Sequence, residues 1–267
     1  MKYDSRTTSH PTASVVVRAC VLLLAVFPLL MSGCSGTAKK DDQVAAPVVL
    51  KVLATDAFIP VESFDKDGAK IPYEPAVNPY AIQKGRIQKE FVSTYIEARR
   101  AFKSNNHEQA DKLLHTLTES APELSGPWVM LGDISLAAEK YETALQRFQK
   151  AIEINPENVN AYLRLAQVQR LLGKFIEAQN TYAAVLAVWK DFPEAHLNLA
   201  VLYDVYMNEP LKAQQHMEAY QFLAGKRNEQ VSQWLAEIRS RTGVPYSIKA
   251  GAPGGSEGES PVSLAGG

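Results

Sequence analysis

Hydrophobic and polar positions between about residues 81 and 242 follow helical spacing, and the spacing itself recurs. Trp128, Leu131, Gly132 and Ser135 advance in steps of three, one and three, and Tyr141, Ala144, Phe148 and Ala151 in steps of three, four and three. Each set falls on one side of a helix, so two amphipathic helices joined by a short turn are predicted there. Small residues return at a constant interval. Ala98, Gly132, Ala166 and Ala200 are 34 residues apart, as are Ala110, Ala144 and Ala178, then Leu114, Phe148 and Tyr182, then Pro122 and Pro156. A period of this length marks stacked helix pairs, none of which buries its apolar face alone. The small side chains stand where antiparallel helices must approach, and bulky Trp128 and Phe148 fill the space beside them. The predicted units are 91–124, 125–158, 159–192 and 193–226, with one extra residue around Asn208, Glu209 and Pro210 that shifts Ala213, Met217 and Tyr220. Asn228 then reads as an N-cap, and Val231, Trp234, Leu235 and Ile238 as the apolar stripe of a capping helix over 228–241. Glu229 at its start and Arg239 and Arg241 at its end complement the helix dipole.

The unit from Ser125 to Asn158, with Trp128, Leu131, Gly132, Tyr141, Ala144, Phe148, Ala151 and Pro156 in place, resembles the signature of the tetratricopeptide repeat (TPR) family. The resemblance covers about residues 91–226. It implies an all-α, TPR-type helix-turn-helix solenoid of about four repeats plus a C-terminal capping helix, with a disordered N-terminal tether and C-terminal tail. By the family pattern the concave face is lined by Tyr95, Arg99, Phe102 and Lys103, then Val129, Asp133 and Leu136, then Asn160, Leu163, Gln167 and Arg170, then Leu197, Val201 and Asp204. That mixture of apolar, aromatic and charged groups suits an extended peptide or a partner helix. Tyr95, Val129 and Asn160 do not reproduce the carboxylate clamp of chaperone-binding members, so capture of a C-terminal carboxylate is not expected.

The flanks have other compositions. Between Val48 and Tyr80, Pro60, Pro72, Pro75 and Pro79 forbid a long helix. Residues 34–80 therefore read as a flexible tether followed by a proline-rich extended arm with room for a short hairpin. Residues 243–267 read as a disordered Gly/Ser/Pro tail. At the other end Lys2, Arg6 and Arg18 precede an apolar run from Ala19 to Met31. That run is shorter than the roughly 20 residues a membrane-spanning helix needs, and with Ser32 and Gly33 it reads as a signal peptide over 1–33. Leu30-Met31-Ser32-Gly33-Cys34 resembles the bacterial lipobox. The resemblance implies cleavage before Cys34 and acylation of Cys34 with a diacylglyceryl group and an amide-linked, palmitate-type chain. Several acyl chains together anchor a protein stably. Ser35 after the cysteine implies, by analogy with enterobacterial sorting, the outer membrane and a periplasm-facing body.

Composition narrows the chemistry. Lys plus Arg number 28 against 29 Asp plus Glu, for a formal charge of −1, which leaves no footprint for nucleic acid. With 46% apolar and 21% charged residues the chain is not disordered throughout. Cys20 and Cys34 form neither a disulfide framework nor a zinc set. No Walker loop, dinucleotide fingerprint, nucleophile elbow or HExxH pair occurs. His10, His107, His115, His196 and His216 are dispersed; His196 and His216 could approach across a helix pair, but without carboxylate or thiolate neighbours they predict no metal site. The expectation is a scaffold without catalytic residues, cofactor or metal, which binds another protein of the cell envelope and meets the membrane through its lipid. Similar lipoproteins escort secretin subunits of type IV pili or dock murein hydrolases and proteases. The competing readings are an enzyme or small-ligand binder with the arm from Val48 to Tyr80 closing a pocket on the groove, and a purely structural oligomer.

Overall fold

The computed structural model describes residues 50–225 and 228–248. The signal segment, Cys34, the tether as far as residue 49 and the tail from 249 onward lie outside the described residues. Eight helices form four antiparallel pairs: α1 (Lys89–Lys103) with α2 (His107–Ser120), α3 (Ser125–Ala137) with α4 (Tyr141–Ile154), α5 (Val159–Leu171) with α6 (Phe175–Val188), and α7 (Pro193–Val201) with α8 (Pro210–Ala224). A ninth, α9 (Glu229–Thr242), packs on α8. Its N-cap is Asn228, whose side chain accepts from the Val231 amide at 3.2 Å, and Gly243 ends it with φ of 70°.

The repeated small residues sit where the pairs close. Ala98, Gly132, Ala166 and Ala200 are all buried, as are Ala110, Ala144 and Ala178. Gly132 is the tightest of these points. A Cβ on it would lie 2.4 Å from the ring of Phe148, which is itself fully buried. A polar contact closes the second unit: Asn158 Nδ2, just ahead of α5, donates to Ser125 Oγ at the start of α3 at 2.9 Å.

The turn after each first helix needs one residue in the left-handed region, and Asn105, Glu139, Gly173 and Asn208 supply it with φ of 58°, 56°, 72° and 53°. Their spacing is 34, 34 and then 35 residues, which locates the extra residue of the fourth unit upstream of Asn208. It does not loop out around Asn208 to Pro210. The chain absorbs it inside the helix, as a π-helical turn over Leu202–Tyr206 that continues α7, the usual way a helix accommodates one surplus residue without breaking.

The first unit is shaped as an end. Where later units bury Leu131, Leu165 and Leu199, and Ile134, Val168 and Leu202, the first has exposed Glu97 and Arg100. Apolar residues there would be stranded in water without a preceding unit to cover them.

The segment ahead of α1 is extended and held down. It carries a two-stranded antiparallel hairpin, β1 (Ser63–Phe64) with β2 (Lys70–Ile71), pairing Ser63 with Ile71 and Phe64 with Lys70. The sequence left open whether this arm docks; the structure shows a strap. Asn180 on α6 accepts from the Leu53 amide and donates to the Lys51 carbonyl, both at 2.8 Å, and Gln179 Nε2 donates to the Leu53 carbonyl. Asp191, buried in the turn between α6 and α7, accepts from the Tyr73 hydroxyl and the Ala76 amide at 2.6 Å each, while Trp189 Nε1 donates to the Ala76 carbonyl. Further on, Gln83 exchanges hydrogen bonds with Asn155 and Glu157 in the turn between α4 and α5. The strap therefore crosses the fourth, third and second units before entering α1.

The C-terminal boundary also differs from expectation. Residues 244–248, counted from sequence with a disordered tail, are pinned by Glu218. Its buried carboxylate accepts from Arg239, Gln214, the Ser247 amide and hydroxyl and the Ile248 amide. Ile248 is buried as a result.

The close contact at Gly132 gives a test of the packing. Gly132→Ala should lower stability by about 1–3 kcal/mol through overpacking against Phe148, read as a drop in thermal midpoint with the helical circular dichroism of the native state unchanged.

Candidate functional site

The first helices α1, α3, α5 and α7 carry the residues assigned to the concave face, and none of those residues is buried as a whole. Arg99, Lys103 and Asn160 are exposed, and Tyr95, Phe102, Val129, Asp133, Leu136, Leu163, Gln167, Arg170, Leu197, Val201 and Asp204 are half-buried. Their lower surfaces complete the core: Tyr95 and Phe102 pack on the first cluster of buried side chains, Val129 and Leu136 on the second, Leu163 and Leu197 on the third. Their upper surfaces remain available.

Polar contacts organise this face. Asp133 on α3 meets Arg164 on α5 at 3.1 Å, and Arg164 also donates to Gln167 at 3.2 Å. Burial raises the Asp133 pKa and the Arg164 guanidinium opposes that rise. Arg170 donates to the Tyr206 hydroxyl at 2.7 Å and lies over its ring. Arg164 and Tyr206 were not assigned to the groove from sequence. Tyr206 is turned there by the π-helical turn, which a regular 34-residue register does not foresee. Asp204 departs from its assignment. Its side chain is only 8% exposed, accepting from Trp234 Nε1 at 2.7 Å and from Arg241 on the capping helix. It fastens the cap and is not free for a partner. Arg99 and Lys103 remain as cations without an ion pair among the described residues.

The strap leaves the assigned face open. Among the described residues its hydrogen bonds to the body fall on α6, on α8, on Tyr203 and on the turns between units, and they do not involve the assigned groove residues. Beside α1, its last stretch borders a cleft of about 630 Å³ with Tyr80, Phe91 and Tyr95 on the walls and Lys84 and Arg86 at the rim. Among the described residues no three His, Cys, Asp or Glu side chains converge in a way that could hold a metal.

The most enclosed polar cluster lies beneath the strap. His196 on α7 and His216 on α8 do meet, with Nδ1 to Nδ1 of 2.9 Å; His196 Nε2 is 3.0 Å from the Lys190 carbonyl, His216 Nε2 is 2.9 Å from Thr55 Oγ1, and Thr55 Oγ1 is 3.0 Å from the Tyr203 hydroxyl. The partners dictate the protons. The Lys190 carbonyl only accepts, so His196 Nε2 carries hydrogen and its Nδ1 accepts. His216 must then donate from Nδ1 and accept at Nε2 from Thr55, whose oxygen accepts from Tyr203. With both rings neutral every group in this chain is satisfied. Two cationic rings would oppose two N–H groups across 2.9 Å, so the pair cannot charge fully while the strap is seated.

Burial lowers both imidazoles: His196 is pulled down to about 4, with the Lys190 carbonyl and Asp191 opposing, and His216 lies well below its ordinary value, with His196 and Lys212 adding to the effect.

The helical array can now be compared with known proteins. The TPR repeat family matches residues 132–173. The fold of the MamA RS-1 ArsTM double mutant superposes on 59% of this chain and 87% of that one, with a TM-score of 0.50 at 18% identity. This chain has the fold of a TPR-type helix-turn-helix solenoid. Local sequence similarity agrees: Tetratricopeptide repeat protein 37 of Xenopus laevis is 33% identical over 101 residues, and Superkiller complex protein 3 of Homo sapiens is 33% identical over 93 residues, each match covering 35% of this chain. The chain spans only 6% of the length of either relative.

The histidine pair in this TPR solenoid makes stability depend on pH. An unfolded imidazole titrates near 6.5 and the buried ones lower, so below 6.5 the unfolded chain binds more protons. Stability should therefore fall as pH drops from about 6.5 towards 4, by at most about 1.4 kcal/mol per pH unit for each ring. Denaturant titrations across that range should show the slope, and it should shrink in a His196→Gln, His216→Gln variant.

Proposed function

We propose that this protein is a non-catalytic adaptor that binds another polypeptide of the cell envelope along the concave face of its TPR units. The observation that supports this reading is the placement of the strap. Its hydrogen bonds go to α6, α8, Tyr203 and the turns, and the first helices present Tyr95, Phe102, Val129, Leu136, Leu163, Leu197 and Val201 with part of each side chain accessible. Apolar anchors of this kind supply most of the affinity, and charges at the margins set the register. Arg99 and Lys103 mark one end as cationic, whereas the Asp204 contact with α9 closes the other. A bound segment with acidic residues towards α1 fits that polarity.

In the same reading Cys34 is the acylated first residue of the mature chain, holding the solenoid at the periplasmic side of a bacterial outer membrane. The lipobox-like Leu30 to Cys34 supports it. Among the described residues no helix is long and apolar enough to cross a membrane. Escort of a secretin subunit, or docking of a murein hydrolase or protease, would be particular uses of such an adaptor.

Photo-crosslinkers placed at Tyr95 and at Leu163 should capture the same envelope protein, and one placed at Lys150 on α4 should not. Leu163→Asp should weaken that capture at least about tenfold, as loss of a buried apolar anchor does at other interfaces. Capture that is equal from both faces, or indifferent to Leu163→Asp, would refute the groove assignment. Separately, the native chain should incorporate labelled palmitate and fractionate with membranes, and Cys34→Ala should lose the label.

A further inference from the structure

The repeat builds the same groove twice among its second helices, and the strap is seen on one of them. Between α6 and α8, where Thr55 lies on His216, the residues Leu186, His196, Leu199, His216 and Ala219 are all buried. Shifted back by one period, of 34 residues ahead of the surplus residue in the fourth unit and 35 beyond it, these become Ile152, Tyr162, Leu165, Thr181 and Ala184. Those five line a shallow groove of about 480 Å³ between α4 and α6. Of them only Leu165 is buried, and the other four are half-exposed. The strap runs towards this groove. Followed backwards from Thr55 on α8, it reaches α6 at Leu53 and Lys51, where Asn180 grips the backbone of both. Asn180 also forms part of the groove wall. Upstream come Leu50, Val49 and Val48, all apolar. Helices pack about 8–10 Å apart, so α6 and α8, with α7 between them, stand about 16–20 Å apart, a distance that about five or six extended residues cover. Counting that far back from Thr55 gives Leu50 and Val49. The returning limb keeps a similar step: Ala76 is held by Trp189 and Asp191, and Gln83 by Asn155 and Glu157, which stand one period earlier.

We propose that Val48 and Val49 of this chain dock in the groove between α4 and α6, so that the strap covers two successive grooves of the repeat. The inference goes beyond the adaptor reading and does not depend on it. The two grooves differ in what they ask of the strap. His216 needs a hydroxyl above it and receives one from Thr55. Thr181, at the matching position, already donates to Gln169 at 2.7 Å, and its neighbours Ile152, Tyr162, Leu165 and Ala184 offer apolar surface. Two valines suit that surface, since covering it removes apolar area from water on both sides. A second copy or another polypeptide would have to compete with a segment that is held by Asn180 two residues away, and such tethering raises the effective concentration of the segment at the groove. With Val49 seated, the chain from the N-terminal side leaves the body at the second unit. The boundary between the second and third units is then clasped as the boundary between the third and fourth is, and α4 cannot part from α6 without loosening the strap.

The test uses the full chain with Cys20→Ala and Cys34→Ala, into which new cysteines are placed. Val49→Cys should react with a maleimide at least about tenfold more slowly than Val77→Cys, whose position on the strap is 65% exposed. Ala184→Arg, which puts a long cation into the groove, should raise the Val49→Cys rate to that of Val77→Cys. Under mild oxidation Val49→Cys with Ala184→Cys should form a disulfide within one chain, because that bond requires the two backbones to lie side by side. Val49→Cys with Leu171→Cys, on an exposed site of α5, should not. Equal maleimide rates at Val49→Cys and Val77→Cys, a Val49→Cys rate indifferent to Ala184→Arg, or a disulfide that forms as readily with Leu171→Cys or fails to form with Ala184→Cys would overturn the proposal. A disulfide joining two chains would overturn it in favour of a second copy. Helical circular dichroism checks the folding of each variant, and the comparison of Val49→Cys with Val77→Cys leaves every helix unaltered, so it decides the matter even where Ala184→Arg does not fold.

Discussion

The contact between a residue of minimal size on one helix and a bulky ring on its partner governs this molecule. At Gly132 and Phe148 the two are so close that even a methyl group would collide. Close-packed interiors respond to changes of one carbon because neighbouring atoms have nowhere to go. Repeating that contact at constant intervals sets the distance between helices within each pair and hence the orientation of the next pair. The position of the concave face follows, because only the sides of α1, α3, α5 and α7 turned away from these contacts are left to meet a partner.

A stack of repeats ordinarily has interactions only between neighbours, so its units can open separately. The strap changes this. Its contacts join Leu53 to Asn180, Thr55 to His216 and Ala76 to Asp191 over more than a hundred residues of chain. Opening the fourth unit therefore also releases the segment that leads into the first. The buried histidines lie at the point where this coupling is made, and their neutrality is a condition for it. The same cluster that locks the strap is the one in which protonation acts against the folded state.

The repeat was legible in the sequence because it depends on short-range geometry. Helical spacing around Trp128 and Tyr141 and the recurrence of Ala98, Gly132, Ala166 and Ala200 reflect constraints that act within one or two helices. The groove residues could be placed on the first helices for the same reason. What could not be read depends on chain segments far apart. Nothing local in Thr55 announces a hydrogen bond to His216, and Asp204 looks like any polar groove residue until Trp234 and Arg241 are brought to it. The docked stretch from Val244 to Ile248 escaped notice because a carboxylate on α8, Glu218, holds it, and its own composition does not. The surplus residue was visible as a break in period. Its location inside α7 was not, since a loop and a widened turn disturb the numbering equally.

The course of the strap also determines how the molecule carries load. Among the described residues, the N-terminal stretch is fastened to α6 through hydrogen bonds to the backbone of Lys51 and Leu53, well ahead of its entry into α1. Tension along that chain would be met first at the third and fourth units, where several bonds lie side by side and share the force, and not at the terminal helix, which would peel away one turn at a time. The terminal helix α1 is thereby shielded from traction by a fastening placed two units away.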